Sequence, residues 1–218
     1  MTIEFETAHQ GWDEAWSTAE GREDWIVPDA FVTRTLPLLK ARGCIAIADV
    51  GCGVGRHAML FAGEGMQVTA LDESTAGLEF LTAAATGAGH DIVTVQAPFS
   101  DLPFSDASFD AVLSFNVIYH GNEATVARAI GETRRCLRKG GIFFGTLLSK
   151  RNSDYGIGEE VDPGTFLRTH GHDEGHPHYY TGASDVVRLM RGFEILSLSD
   201  YVHDRPDSWH WHFVAEAV

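Results

Sequence analysis

The chain has 218 residues, 44% of them apolar and 11% aromatic, with only 7 prolines, a composition that can bury one sizeable core and lies far from that of a disordered chain. Sixteen Lys+Arg against 31 Asp+Glu leave a net charge of −15, a field that repels phosphate backbones and anionic lipid surfaces, so nucleic acid and membrane are poor partners. Acids close to Met1 and the lack of any run near ~18 apolar residues predict a cytoplasmic protein without a secretory signal or membrane span. Cys44, Cys52 and Cys136 form neither an even set nor a CxxC pair and read as small hydrophobes.

In chain order, Trp12 and Trp16 lie four apart, on one face of a predicted N-terminal helix within a helical segment over 1–43. Strands rich in Val, Ile, Phe and Leu are predicted at 44–50, 67–72, 92–96, 109–117 and 141–148. Helices are predicted at 54–63, 74–85 and 124–137, the last stopped by Arg138-Lys139-Gly140-Gly141. A polar, Gly- and His-rich excursion over 149–182 follows, then a helix over 184–190. Strands at 193–202 and 209–217 make an antiparallel hairpin at a sheet edge. Repeated strand, helix, strand order without a linker predicts one α/β domain over 1–218, Rossmann-like, with a largely parallel sheet.

The strongest signal is Asp49-Val50-Gly51-Cys52-Gly53-Val54-Gly55 between the first strand and a helix, where glycines let a ligand approach the backbone. A dinucleotide fingerprint needs a third small residue where this chain has Arg56. Asp49 at the strand tip would repel a pyrophosphate and attract a ligand carrying ammonium and sulfonium charges. Asp72, ending the second strand, suits both hydroxyls of a ribose.

These residues resemble the class I S-adenosylmethionine-dependent methyltransferases, through DVGCGVG, ALDES, DLPFSDASFDAVLSFNVIYH (101–120) and RRCLRKGGIFFGTLL (134–148). Within that class the plan is most similar to the tellurite-resistance and related group. The resemblance implies seven strands in the order 3-2-1-4-5-7-6, with S-adenosylmethionine across the carboxyl ends of the first, second and fourth. It assigns the cofactor to Asp49, Gly51, Cys52, Gly53, Gly55, Arg56, Asp72, Glu73 and Asn116. Relatives commonly carry an acid for the adenine amino group after the third strand; here Pro98 stands there, so adenine contacts fall to Phe99 and Ser100. The segment bearing Trp12 and Trp16 would fold over the cofactor as a lid.

Methyl transfer is an in-line displacement that needs positioning, exclusion of water and a base only for a protonated nucleophile. In this fold the tip of the fourth strand faces the methyl group, which makes His120 and Tyr119 the candidate catalytic residues. NVIY lacks the prolines of the base-clamping signature of nucleic-acid amino-methyltransferases, and the acceptor is expected to be a small molecule. Trp12, Trp16, Arg151, Asn152, Tyr155, Tyr179 and Tyr180 are candidate acceptor contacts. Residues 170–178 hold four histidines and two acids, yet the segment lacks a thiolate and is rich in glycine, so no metal site is expected. Two other readings stand beside this one: a non-catalytic S-adenosylmethionine- or metal-binding protein, and an NAD-dependent oxidoreductase. Oligomeric state has no signal in the chain.

Overall fold

The computed structural model describes residues 5–203 and 205–218. The first four residues of the expected N-terminal cap, and Asp204 in the turn of the expected hairpin, lie outside them. Five parallel strands form the centre: β1 (Ala46–Val50), β2 (Gln67–Asp72), β3 (Ile92–Gln96), β4 (Phe109–Ser114) and β5 (Leu137–Ser149). They run in the order β3-β2-β1-β4-β5. Beyond the short strands β6 (Glu160–Asp162), β7 (Thr165–Leu167) and β8 (Pro177–Thr181), the C-terminal β9 (Phe193–Val202) and β10 (Trp209–Ala217) pair as an antiparallel hairpin. β10 runs antiparallel along β5 from His210↔Leu148 to Glu216↔Ile142. The expected order 3-2-1-4-5-7-6 is therefore present, β10 being the seventh strand and β9 the sixth.

Helices cover both faces because the central strands are apolar on both. On one face, α3 (Ala30–Ala41), α4 (Arg56–Gly63) and α5 (Thr75–Ala88) bury Val32, Leu39, Phe61 and Leu81 against Ile47, Leu113 and Phe144. On the other, α6 (Glu123–Cys136) and α7 (Ala183–Leu189) bury Val126, Ile130 and Val186 against Val112, Phe143 and Phe213. Phe143 and Phe144 thus point to opposite layers, as the two-residue period of a strand requires.

Three features depart from the sequence expectation. The helix ends at Cys136, and Leu137 already pairs with Phe109 in the sheet. Residues 138–141, expected as the helix stop, instead bulge out before Ile142 meets Ala111, with Gly140 at φ 77°. The segment over 1–43 is not one cap. α1 (His9–Trp16), α2 (Ala19–Arg22) and a 3-10 turn (Glu23–Trp25) lie toward the site, whereas α3 is a core helix. Finally, the excursion over 149–182 is built as the antiparallel ladder β6-β7-β8, and β8 joins the end of β5 in parallel at Leu148↔Tyr180 and Ser149↔Thr181. All five residues of β8 are buried, so no polar alternation marks it as a strand.

α1 is tied to the body through its polar face. Asp13 Oδ1 accepts from Ser74 Oγ at 2.7 Å and from the Ala76 backbone N–H at 2.9 Å. Ser74 in turn caps α5 by accepting from the Gly77 N–H at 3.0 Å, so a carboxylate sits at the positive end of that helix.

Candidate active site

Strand order reverses between β1 and β4, and the crevice outside the carboxyl ends of the strands is where such sheets hold ligands. A cavity of about 750 Å³ opens there. Its first wall is the loop after β1. Gly51 and Cys52 donate their backbone N–H groups to Leu71 O at 2.7 and 3.0 Å, which folds the loop across the end of β2. Asp72 then clasps it: Oδ2 accepts from Gly53 N–H and Oδ1 from Ser74 N–H, both at 2.8 Å. Each oxygen keeps a further lone pair, and Asp72 lines the cavity beside Glu73.

Gly53, at φ 53°, lies beneath Trp16; a Cβ added there would stand 2.8 Å from the indole ring. Trp16 of α1 and the loop are thus in direct contact. Trp16 Nε1 is buried without a hydrogen-bond partner and Trp16 lines the cavity, which leaves a donor for a ligand on this wall. Trp12 stacks on Trp16 with ring centroids 5.4 Å apart and meets Trp25 edge-on at 4.9 Å.

The next wall comes from the turn after β4. Asn116 adopts φ 63°, a left-handed conformation that Asn tolerates better than most residues. Thr146 Oγ1 locks it there, accepting from Asn116 N–H at 2.8 Å and donating to Asn116 Oδ1 at 3.0 Å. Asn116 and Phe99 line the cavity, as do Tyr119 and His120.

Other sequence candidates fall elsewhere. Asp49 is 1% exposed and lies under the loop, off the cavity wall, where its carboxyl faces the Ala58 N–H near the start of α4. Charge and the family resemblance placed it beside a ligand; its position on β1, inside the sheet, keeps its side chain off the cavity wall. Gly55, at φ 84°, packs on Leu81 and starts α4. The Ser100 hydroxyl is committed to Glu6. Among the acceptor candidates, Trp12, Trp16 and Asn152 line the cavity. Arg151 instead lies over the ring of Trp209, and Tyr155 packs on Phe166 and Tyr180. Tyr179 donates to Glu123 at 2.8 Å, and Tyr180 is 1% exposed in the core.

Burial, followed by the charge of Asp72, pushes the Asp49 carboxyl up to about 7. Its folded-state value exceeds the ordinary one, so its contribution to stability is complete below about pH 4 and is lost as the pH rises through about 7. Asp49→Asn is expected to flatten that slope, by about 4 kcal/mol at most, and to make the protein relatively more stable than the parent above neutrality. Urea midpoints across this pH range check it; parallel slopes in parent and variant would refute it.

The cavity wall also holds residues that no spacing marked. Arg168, Asp173 and His178 come from the excursion, and His203 and His210 from the hairpin. Asp173 Oδ2 lies 2.8 Å from His178 Nε2 and 3.6 Å from His120 Nε2. Burial works against the Asp173 charge, but hydrogen bonds from His120 and His178 outweigh it and hold the carboxyl well below the usual range. Burial pushes His178 down to about 4 against the pull of Asp173. The density of histidines over 170–178 was the one visible signal; that His120 would join it was not readable.

Residues 48–145, the stretch from β1 to the middle of β5, match the family model described as a methyltransferase domain. This stretch is matched as a methyltransferase domain, and both the glycine loop and Asp72 lie inside it. The chain is 27% identical over 189 residues to a sterol 24-C-methyltransferase of Aspergillus fumigatus, an alignment covering 77% of this chain and 44% of that protein. The chain thus spans less than half the length of the sterol methyltransferases it matches. The fold is shared with the Burkholderia thailandensis 1,6-didemethyltoxoflavin-N1-methyltransferase, solved with bound 1,6-didemethyltoxoflavin and S-adenosylhomocysteine, at a TM-score of 0.68, 20% identity and coverage of 97% and 88% of the two chains. TehB of Haemophilus influenzae shares it at a TM-score of 0.68, 14% identity and coverage of 93% and 67%, a likeness of fold alone.

Proposed function

We propose that this protein transfers the methyl group of S-adenosylmethionine to a small-molecule acceptor. The observation that carries the reading is the glycine loop clasped by Asp72 at the strand-order reversal, open to a cavity that Trp16 covers. The residues fit the cofactor: Asp72 retains lone pairs for the ribose hydroxyls, and Trp16 Nε1 is a buried donor without a partner. Arg56 occupies the position at which a dinucleotide needs a small residue, which disfavours NAD.

When bound, S-adenosylmethionine supplies an electrophilic methyl on a sulfonium. The chain's part is to hold the cofactor with the loop, Asp72, Glu73 and Asn116, and to place the acceptor against it with Trp12, Trp16 and Asn152. Tyr119 and His120 face the acceptor's ionisable group, whose proton must leave before or during attack. The aromatic walls exclude water from the sulfonium. A sterol in the name of one relative and 1,6-didemethyltoxoflavin in that of a fold neighbour support a small-molecule acceptor here. The tellurite-resistance subgroup remains part of this proposal on the resemblance of the motifs.

Calorimetric titration with S-adenosylhomocysteine, with NAD and ADP-ribose as parallel titrants, tests the cofactor. Micromolar binding of S-adenosylhomocysteine alone is expected, followed by release of that product when an acceptor panel is supplied with S-adenosylmethionine. Binding of NAD in its place would overturn the reading.

A further inference from the structure

The cavity contains a second constructed feature, made by two chain segments, the turn at His120 and the stretch from Asp173 to His178, that meet only in the fold. His120 and His178 face each other across an isolated antiparallel bridge, held by the Tyr179 N–H donating to Tyr119 O at 2.9 Å. Asp173 is delivered by a turn that closes through Gly175 N–H to Arg168 O at 2.8 Å and His176 N–H to Asp173 O at 3.1 Å. One donor atom from each of His120, Asp173 and His178 lies within 4.8 Å of the other two. The three residues are 7%, 6% and 2% exposed, and all line the cavity.

The hydrogen bonds of His178 do not close by themselves. Its Nδ1 lies 3.0 Å from His176 O, and its Nε2 lies 2.8 Å from Asp173 Oδ2, so both ring nitrogens face acceptors. A neutral imidazole has one N–H. A second proton on the ring would serve both acceptors, and so would a cation beside Nε2, which burial of the ring favours over the imidazolium. Nδ1–H then donates to the carbonyl, the orienting bond that metal-ligating histidines use, while the Nε2 lone pair and Asp173 Oδ2 are both left for the ion. Arg168 Nε stands 3.6 Å from the other carboxylate oxygen, an ion-pair contact that keeps a positive charge beside it.

We propose that His120 Nε2, His178 Nε2 and Asp173 Oδ2 bind one divalent transition-metal ion, and that its open position holds the acceptor. Two imidazoles and a carboxylate suit zinc, iron or nickel, and three protein ligands with a free position are the pattern of catalytic rather than structural sites. Donors around tetrahedral zinc stand about 3.3 Å apart. Two of the three donor pairs, 2.8 and 3.6 Å apart, bracket that spacing, and the third lies within 4.8 Å.

This inference rests on the methyl-transfer reading and narrows its acceptor class to molecules with an ionisable oxygen, nitrogen or sulfur able to ligate a metal. On binding, such an acceptor gives its proton to solvent. Its lone pair forms the new bond to the methyl carbon, the carbon–sulfur bond breaks, and that electron pair returns to a neutral thioether. His120 is then a ligand and not a free base.

The test is titration of chelator-treated protein with Co2+ alone, read by visible absorption, followed by competition with Zn2+. One equivalent of Co2+ with ligand-field bands is expected. His120→Ala and His178→Ala are each expected to weaken it by about 100-fold or more, while His170→Ala, in the same segment, binds as the parent does. S-adenosylhomocysteine titration of every variant reports that the fold is intact. An unchanged spectrum on adding Co2+, or binding that survives both variants, overturns the proposal and leaves Asp173 to orient a histidine as a general base. Failure of the parent to bind S-adenosylhomocysteine would reject the methyl-transfer reading instead, and the metal titration would stand separately.

Discussion

Asp72→Ala is expected to lower the affinity for S-adenosylhomocysteine by about 2 to 4 kcal/mol, roughly 30- to 1000-fold. Two losses combine. The ribose hydroxyls lose a charged acceptor, and the Gly53 and Ser74 N–H groups, each 2.8 Å from a carboxylate oxygen, lose the clasp that shapes the loop. Burial raises the Asp72 carboxyl above its ordinary value, and the backbone donors of Ser74 and Gly53 oppose that rise. Asp72→Asn separates the two losses: it keeps one acceptor for the loop and removes the charge, so it should fall between parent and Ala. Calorimetry measures both, and unchanged affinity in Asp72→Ala would mean that the tip of β2 does not meet the ribose.

The second large effect is on stability. Gly55→Ala places a Cβ 2.2 Å from Leu81 Cδ1 at φ 84°, where an L-residue is strained. Left-handed strain of about 1 to 2 kcal/mol and overpacking of about 1 to 3 kcal/mol together predict a loss of about 2 to 5 kcal/mol. Leu81→Ala removes the colliding atoms, so Gly55→Ala should cost about 1 to 3 kcal/mol less in that background. Urea denaturation of the four proteins in this cycle measures the difference. Strict additivity would show that the dihedral, and not the packing, makes Gly55 necessary.

Much of this architecture was legible because each central strand and its helix use different periods. β2, β3, β9 and β10 fall where the apolar runs place them. β8 was not legible, since burial on both faces leaves no alternation and the glycines around it read as loop. Residues 138–141 misled for a related reason: a basic pair followed by two glycines signals a helix stop, and here it forms a bulge within β5.

The site divides the same way. Contacts made by backbone near the motif, at Gly51, Gly53 and Asp72, follow from local spacing. Contacts made across the fold do not. Tyr179 and Tyr180 stand beside His178 in sequence, yet they turn to Glu123 and to the core while His178 faces the cavity. Asp49 shows the limit of charge as a guide: a carboxylate at a strand tip was expected at the ligand, and the inward direction of its side chain on β1 puts it beneath the loop.

The pairing of β8 with β5, and the bridge between His120 and His178, bear on turnover as well as on architecture. A segment stitched to the sheet at Leu148↔Tyr180 and at that bridge does not swing aside without breaking sheet hydrogen bonds. We propose that the doorway is α1, which is held by Asp13 at the cap of α5 and by Trp16 resting on Gly53. On that proposal, release of the spent thioether would wait on how often a helix of eight residues lets go of its anchors, while the acceptor wall kept its shape.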